Sequence, residues 1–194
     1  IREQIGERSV QTMLHSATIP SWVHDVSKKY LKEDLIKVDL LKNKQRKTPT
    51  TVQHLAINCP FSQRLEALAD IVLCYGGKHA RTIIFTETKT AANDIMMKAN
   101  IRQECQVLHG DIPQQQREVT FQAFREGKFK CLIATNVAAH GLDIPEVDLI
   151  VQMEPPTSVD TYIHRAGRTA RAGKSGICIT FFSRKETEDL EKIE

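Results

Sequence analysis

The stretch that decides the fold begins at residues 81–99, RTIIFTETKTAANDIMMKA. The apolar run RTIIFTE is typical of a strand buried on both faces, and a helical pattern follows it directly. The same alternation continues downstream with CQVLHG (105–110), PQQQREVTFQAFREG (113–127) and KCLIAT (130–135). Buried strands that alternate with amphipathic helices predict an α/β fold, a mainly parallel sheet with helices on both faces.

The pattern extends in both directions from this centre. Upstream, VQHLAINCP (52–60) reads as a strand and SQRLEALADIVLCYG (62–76) as a helix that ends at a glycine pair. Downstream, VDLIVQM (147–153) and GICITFF (176–182) read as strands, and a closing helix capped by Ser183 follows.

The first 50 residues do not continue this alternation of buried strands and amphipathic helices. They predict a strand at 9–18, a helix opened by Pro20 and a short strand at 35–41. Residues 41–50 are polar and basic and end in a Thr-Pro-Thr sequence, which is typical of a linker. We therefore divide the chain at 1–40, 41–50 and 51–194.

Composition restricts the function only weakly. The 194 residues carry a net charge of +3, which permits a nucleic-acid partner without arguing for one. The five cysteines form no C-x-x-C pair, so they indicate free thiols in a reducing compartment, and we predict no metal site. The sequence also contains no apolar run long enough to span a membrane.

The most unusual stretch is YIHRAGRTARAG, residues 162–173, which holds Arg165, Arg168 and Arg171 at steps of three, with His164 one turn before Arg168. Like charges at this spacing destabilise a helix, so an anion is the natural missing partner. Guanidinium groups match phosphate oxygens well. The alternative is an ordinary exposed basic helix.

Ligands of parallel sheets bind beyond the carboxyl ends of the strands, so the loops there are candidate sites. Three of these loops combine hydroxyls, glycines and charges that suit a phosphate. Simpler roles as helix caps, turns and structural histidines stay open for each residue. The residues singled out in these loops are Thr86, Glu87, Thr88 and Lys89; His109, Gly110, Asp111, Gln114 and Arg117; and Thr135, Asn136, Gly141 and Asp143.

One apparent phosphate-binding motif fails on spacing. Gly173, Lys174 and Ser175 resemble the end of a P-loop, but Gly167 lies one residue too far upstream, and a strand rather than a helix follows. The chain therefore has no nucleotide cradle of this kind, and we expect it to hydrolyse no ATP by itself.

Several motifs in order give a resemblance that covers the chain from about residue 9 to its end. The order is SAT (16–18), IIFTET (83–88), HGD (109–111) with QQQR, ATNVAAHGLD (134–143) and HRAGRTAR (164–171). It resembles the second half of a DEAD-box RNA helicase, and the residues within the motifs are most like those of the nucleolar Gu-type branch. The resemblance implies a RecA-like domain at 51–194, preceded by a remnant of the first RecA-like domain at 1–40.

The resemblance also implies residue roles. Arg168 and Arg171 would face the γ-phosphate of ATP as arginine fingers, and His164 would bridge to the acidic box of the first domain. Asp143 and Gly141 would contact ATP, whose Mg²⁺ would be bound mainly by that first domain. Ser16 and Thr18 would couple hydrolysis to strand separation.

Thr86, Gly110, Arg117 and Thr135 would hold RNA by its sugars and phosphates, without regard to base sequence. Two positions depart from the family pattern. His140 stands where relatives usually have arginine, which puts the contact of that position in doubt. Ala170 stands where many relatives have glycine.

These implications predict the C-terminal half of an ATP-dependent RNA helicase that remodels RNA duplexes by domain closure. Its partners would be single-stranded or duplex RNA and the N-terminal RecA-like domain of the same protein, with no membrane. The compartment would be the nucleus and nucleolus, or otherwise the cytoplasm. The alternative is a non-catalytic RNA- or protein-binding module derived from a helicase.

Overall fold

The structure is a computed structural model that describes residues 11–15, 21–32, 34–38, 51–77, 79–101, 103–136, 146–170 and 174–193. The chain divides into two compact units, Ile1–Lys44 and Gln45–Glu194.

In the first unit, the helix expected after Pro20 is present as α1, Ser21–Tyr30. The predicted strands at 9–18 and 35–41 are wrong where they can be checked, since residues 11–15 and 35–38 form no strand. Met13, Leu14, Ile36 and Val38 are all exposed there. A strand needs a neighbour for its backbone hydrogen bonds, and the described part of this unit offers none.

The second unit contains a six-stranded sheet in which each recorded pairing is parallel. The strands lie in the order β1-β6-β5-β2-β4-β3. Their bounds are Val52–Asn58 (β1), Thr82–Thr86 (β2), Cys105–Leu108 (β3), Cys131–Thr135 (β4), Leu149–Gln152 (β5) and Gly176–Phe182 (β6).

The described helices of this unit lie between these strands, except the last, which follows β6. They are α2 (Arg64–Ile71, continued by a π-helical turn at Val72–Gly76), α3 (Lys89–Lys98), α4 (Gln114–Arg125), α5 (Val159–Ala166) and α6 (Thr187–Glu191), with short 3-10 turns at Phe61–Gln63 and Arg184–Glu186.

Several helix ends follow the signals in the sequence. Pro113 precedes α4, and Gly127 follows it with a φ of 75°. Ser183 forms the expected cap, in a reciprocal capping box with Glu186. At α3, however, the N-cap is Thr88, whose hydroxyl accepts a hydrogen bond from the Ala91 N–H at 3.1 Å.

The two faces of the sheet bury separate hydrophobic clusters. In β2, Ile83 and Phe85 pack in the cluster that contains Phe124 of α4. Ile84, between them, packs in the opposite cluster with Leu68 of α2 and Ile95 of α3. The predicted parallel sheet with helices on both faces is therefore confirmed, and alternate residues of its strands serve opposite layers.

Because the strands are parallel, their carboxyl ends lie along one edge of the sheet. Thr86 at the end of β2 is the register partner of Thr135 at the end of β4. Next to them, Leu108 of β3 pairs with Ala134, and Gln152 of β5 pairs with Phe85. The register thus places three predicted loops side by side at the edge where ligands of such sheets bind.

Candidate nucleic-acid interface

An open depression of about 280 Å³ lies beyond the ends of β2, β4 and β3. It is lined by Glu87, Lys89, Gly110, Asp111, Thr135 and Asn136. The residues after three adjacent strands therefore share one surface. Gly110 and Thr135, two of the predicted RNA-binding residues, line it together.

Thr86, a third predicted RNA-binding residue, lies below this surface. It is completely buried, and its hydroxyl donates a hydrogen bond to Glu154 Oε1 at 3.1 Å. The residues of this loop that line the depression are Glu87 and Lys89, after Thr86.

Glu154 supports the loop from inside the protein. Its Oε1 also accepts a hydrogen bond from the Glu87 backbone N–H, at 2.5 Å. Burial raises the pKa of Glu154, although these two hydrogen bonds and the charge of Arg165 oppose the rise. The carboxyl group thus fixes the backbone at the point where β2 ends.

Across the depression, the Lys89 ammonium donates to Asp111 Oδ2 at 2.6 Å. Both side chains are well exposed. The hydrogen bond from Lys89 lowers the pKa of Asp111, with the nearby charges of Lys89 and His109 adding to the effect. With Glu87, the lining carries two carboxylates and one ammonium group, so Lys89 is its one cationic side chain.

His109 and Arg117 do not line the depression. His109 is buried, and its Nε2 lies 3.3 Å from Asn93 Oδ1, which agrees with the structural role left open for this histidine. Arg117 is half-buried in the first turn of α4, and its Nε finds no hydrogen-bond acceptor among the described residues.

Arg165 departs from the expectation that the arginine stretch awaits an external anion. Its guanidinium is buried and donates to Glu87 Oε1 at 2.5 Å, to Asn136 Oδ1 at 2.7 Å and to Gln152 Oε1 at 3.1 Å. Burial lowers the pKa of Arg165, and the nearby carboxylates of Glu87 and Glu154 counteract this. For this arginine, the missing anion is the protein's own Glu87.

His164 and Arg168 lie on either side of Arg165 along the chain, and both are half-buried. Arg168 follows the end of α5, and its Nε donates to the His164 carbonyl at 3.2 Å. The backbone of Arg168 is held on both sides, because its N–H donates to the Arg165 carbonyl and its own carbonyl accepts from the Val147 N–H, both at 3.1 Å. The turn that carries Arg168 is thus fixed to the segment just before β5.

Five other predicted site residues lie outside the described part of the chain: Ser16, Thr18, Gly141, Asp143 and Arg171. His140 does too. Ala170, the second departure from the family pattern, is described and has a φ of 57°. This is the left-handed region that glycine adopts without steric cost, so the glycine expected here from the resemblance would fit the backbone more easily than alanine does.

The sequence placed Lys89 and Asn136 in candidate loops without giving either a role, and it did not predict that Arg165 is buried and paired inside the protein. A signal for Arg165 was present in the pattern of α5, because Tyr162, Ile163 and Ala166 form its buried stripe. Arg165 falls within that stripe at helical spacing, and a buried arginine requires an internal partner. No comparable signal indicated that Asn136, between Thr135 and Val137, accepts a hydrogen bond from Arg165.

Comparison with known proteins places this architecture in a family. Residues 63–173 match the family described as helicase conserved C-terminal domain. The chain is 52% identical over 189 residues to human ATP-dependent RNA helicase DDX50, and equally so to nucleolar RNA helicase 2 of Rattus norvegicus. It spans 26% and 24% of the length of these relatives, with 97% of its own length aligned.

Solved structures agree with the sequence relatives. The C-terminal domain of the DEAD-box protein Dbp5 matches with a TM-score of 0.66 at 34% identity, over 74% of this chain and 83% of that domain. S. cerevisiae Dbp5 bound to RNA and ADP BeF3 matches with a TM-score of 0.75 at 31% identity, over 92% of this chain and 46% of that one.

The fold and the matched motifs define a RecA-like C-terminal helicase domain. The chain belongs to the DEAD-box RNA helicases and is most similar to their nucleolar Gu-type branch.

None of the described helices is both long and apolar enough to cross a bilayer. No group of three histidine, cysteine or acidic side chains in the described ranges is arranged to hold a metal ion.

Proposed function

We propose that the intact protein is an ATP-dependent RNA helicase and that this chain supplies part of its RNA-binding surface together with its arginine fingers. One observation carries the proposal. The depression lined by Gly110 and Thr135 lies at the carboxyl edge of the sheet, and Arg165, whose guanidinium contacts two of its lining residues, belongs to α5, the helix that ends just before the Arg168 turn. Relatives named ATP-dependent RNA helicases, and a solved relative bound to RNA and ADP BeF3, support the same assignment.

RNA would be held in the depression by its sugar-phosphate backbone. Backbone groups near Gly110, the polar side chains of Thr135 and Asn136 and the ammonium group of Lys89 suit phosphates and ribose hydroxyls. Arg117 would add a cation from the first turn of α4. Contacts of this kind are made to the sugar-phosphate backbone, so binding would be largely independent of sequence.

ATP would be held between this domain and an N-terminal RecA-like domain of the same protein. In this arrangement Arg168 and Arg171 face the γ-phosphate, His164 contacts the acidic box of the other domain, and Asp143 and Gly141 contact the nucleotide. Mg²⁺ would be bound mainly by that other domain. The arginines would neutralise the charge that develops on the transferred phosphoryl group.

The same proposal assigns the rest of the chain. Residues 1–40 would be the end of the N-terminal domain, with Ser16 and Thr18 coupling hydrolysis to strand separation, and residues 41–50 the linker. Closure of the two domains around ATP and RNA would bend and melt a short duplex. Since its relatives include proteins named nucleolar RNA helicase 2, we also propose a nucleolar location.

The arginine-finger assignment predicts a split between turnover and binding. In the full-length protein, Arg168→Ala should lower RNA-stimulated ATP hydrolysis by about 10³-fold or more, because it removes a charge used in the transition state. Steady-state kinetics measure the turnover, and fluorescence anisotropy with a short RNA should show nearly unchanged affinity.

Arg184→Ala is the matched control, since Arg184 is an exposed arginine in the 3-10 turn after β6. It should leave both quantities unchanged. Equal losses of turnover and RNA affinity in Arg168→Ala would contradict the finger assignment. A full-length wild-type protein without RNA-stimulated hydrolysis would contradict the proposed function itself.

A further inference from the structure

The side chain of Arg165 joins the ends of three neighbouring strands. It contacts Glu87 directly after β2, Asn136 directly after β4 and Gln152 at the end of β5. Each nitrogen of the guanidinium is used for a different partner. The three elements therefore share one set of directional hydrogen bonds at the edge of the sheet.

Two of these partners also form the walls of the depression. Glu87 and Asn136 line it, and the Asn136 amide lies 3.5 Å from Glu87 Oε2, which closes a triangle with Arg165. At the other end of its side chain, Arg165 belongs to α5, between His164 and Arg168. One residue thus joins the walls of the depression to α5, the helix that ends just before Arg168, one of the predicted nucleotide contacts.

The connection is rigid because it is buried. Only 2% of the Arg165 side chain is exposed, and its guanidinium lies 5.2 Å from the centre of the Phe85 ring. Gln152 is fixed in turn by a 3.1 Å hydrogen bond that its amide donates to Thr180. The depression wall cannot move away from α5 without leaving a buried charge unpaired, which is costly.

We infer that Arg165 is a positioning residue that couples occupancy of the depression by RNA to the placement of the Arg168 turn. The inference rests on the proposed function, which supplies the two ligands. When an RNA phosphate displaces Glu87 or Asn136, the Arg165 side chain bound to them transmits the movement to α5. When closure on ATP moves α5, Arg165 transmits that movement back to the walls of the depression. The coupling is therefore reciprocal.

The test compares variants of the full-length protein. Glu87→Gln removes the anionic partner of Arg165 and keeps its shape, and Arg165→Lys keeps the charge but loses the forked contacts. The control is Glu186→Gln, which removes the anionic partner of Arg64, a second buried arginine outside the depression. The measured quantity is the ratio of RNA dissociation constants without and with a non-hydrolysable ATP analogue.

We expect Glu87→Gln and Arg165→Lys to reduce this ratio by about fivefold or more, in the ordinary range of coupling between two sites. Glu186→Gln should keep the wild-type ratio even though it lowers the melting temperature. Removal of the Glu87 charge also changes RNA affinity directly, but it does so both without and with the ATP analogue. This direct effect therefore cancels in the ratio of the two dissociation constants. The inference is wrong if Glu87→Gln keeps the wild-type ratio, or if Glu186→Gln loses it equally.

Amide hydrogen exchange separates this inference from the proposed function. A wild-type ratio of one would contradict nucleotide-coupled RNA binding, and exchange at α5 with RNA alone would then decide the role of Arg165. Protection of residues 159–166 by RNA that disappears in Glu87→Gln supports the inference. Protection that is absent in the wild type, or that persists in the variant, overturns it.

Discussion

Two buried arginines lie at the carboxyl edge of the sheet, on either side of β5. Arg64 donates to the Cys59 carbonyl after β1 at 3.2 Å, to the Met153 carbonyl after β5 at 2.6 Å and to Glu186 after β6. Arg165 makes the corresponding set of contacts with the ends of β2, β4 and β5. Each guanidinium thus joins a different triplet of adjacent strands.

The difference between them lies in the carboxylate. Glu186 also accepts hydrogen bonds from the Ser183 N–H at 2.8 Å and from its hydroxyl at 2.6 Å, so it is part of the cap of a helical turn. Glu87 has 38% of its side chain exposed and lines an open depression. The carboxylate that pairs with Arg64 is therefore held within a helix cap, whereas the carboxylate that pairs with Arg165 faces the open depression.

The comparison predicts that the Arg64 pair contributes more to stability. Glu186→Gln should lower the free energy of unfolding by about 2 kcal/mol, below the usual cost of breaking a fully buried ion pair because Glu186 remains partly exposed. Glu87→Gln should cost about half as much, since the carboxylate of Glu154 also stabilises the charge of Arg165. Urea denaturation measures both, and a larger loss for Glu87→Gln would contradict the comparison.

The two regions should also respond to pH in opposite directions. Burial raises the pKa of Glu154 beside Arg165, so its folded form binds protons more tightly than its unfolded form, and its contribution to stability falls as pH rises above about 4.3. At Glu186, burial works in the same direction, but hydrogen bonds from Arg64 and Ser183 outweigh it and lower the pKa. Its contribution is complete above about pH 4.3 and is lost as pH falls through the lowered value.

Urea denaturation as a function of pH can separate these contributions with the variants Glu154→Gln and Glu186→Gln. The free energy of unfolding of Glu154→Gln should rise relative to that of the wild type as pH increases above about 4.3. The loss of unfolding free energy caused by Glu186→Gln should become smaller as pH decreases below about 4.3. Parallel curves for the two variants would show that neither carboxyl group titrates as its surroundings imply.

The sheet was predictable because its signal is local. The apolar runs around Ile84 and Ile133 specify buried strands by themselves, and the parallel order then brings Gly110 and Thr135 to one edge. The predicted strands at 9–18 and 35–41 failed for the converse reason. Their residues have suitable propensity, but strand formation depends on a neighbour that a single sequence pattern does not supply.

The arginine network could not be predicted in the same way. Glu87 lies 78 residues before Arg165, and nothing in the sequence pairs one acidic residue with one arginine over that distance. The spacing of Arg165, Arg168 and Arg171 favoured a shared role, whereas burial in α5 separates Arg165 from Arg168. A sequence motif thus groups residues that the fold assigns to different tasks.

The smallest expected effect concerns Lys89 and Asp111, the exposed ion pair of the depression. Unlike the two buried arginines, Lys89 can exchange its carboxylate for an RNA phosphate at little cost, because both groups are already solvated. Asp111→Asn should therefore leave the melting temperature nearly unchanged. It should raise RNA affinity by about two- to fivefold at low salt, since one repulsive charge is removed from the phosphate path.

Fluorescence anisotropy over a range of salt concentrations tests this prediction, and the gain should shrink as salt rises because exposed charges are screened. Asp94→Asn is the matched control, since Asp94 pairs with Lys98 at the far end of α3 and does not line the depression. A gain of the same size in Asp94→Asn would indicate a general effect of net charge. Weaker RNA binding by Asp111→Asn would instead mean that Asp111 holds Lys89 in the position that RNA requires, so that this exposed pair acts as the buried Arg165 pair does.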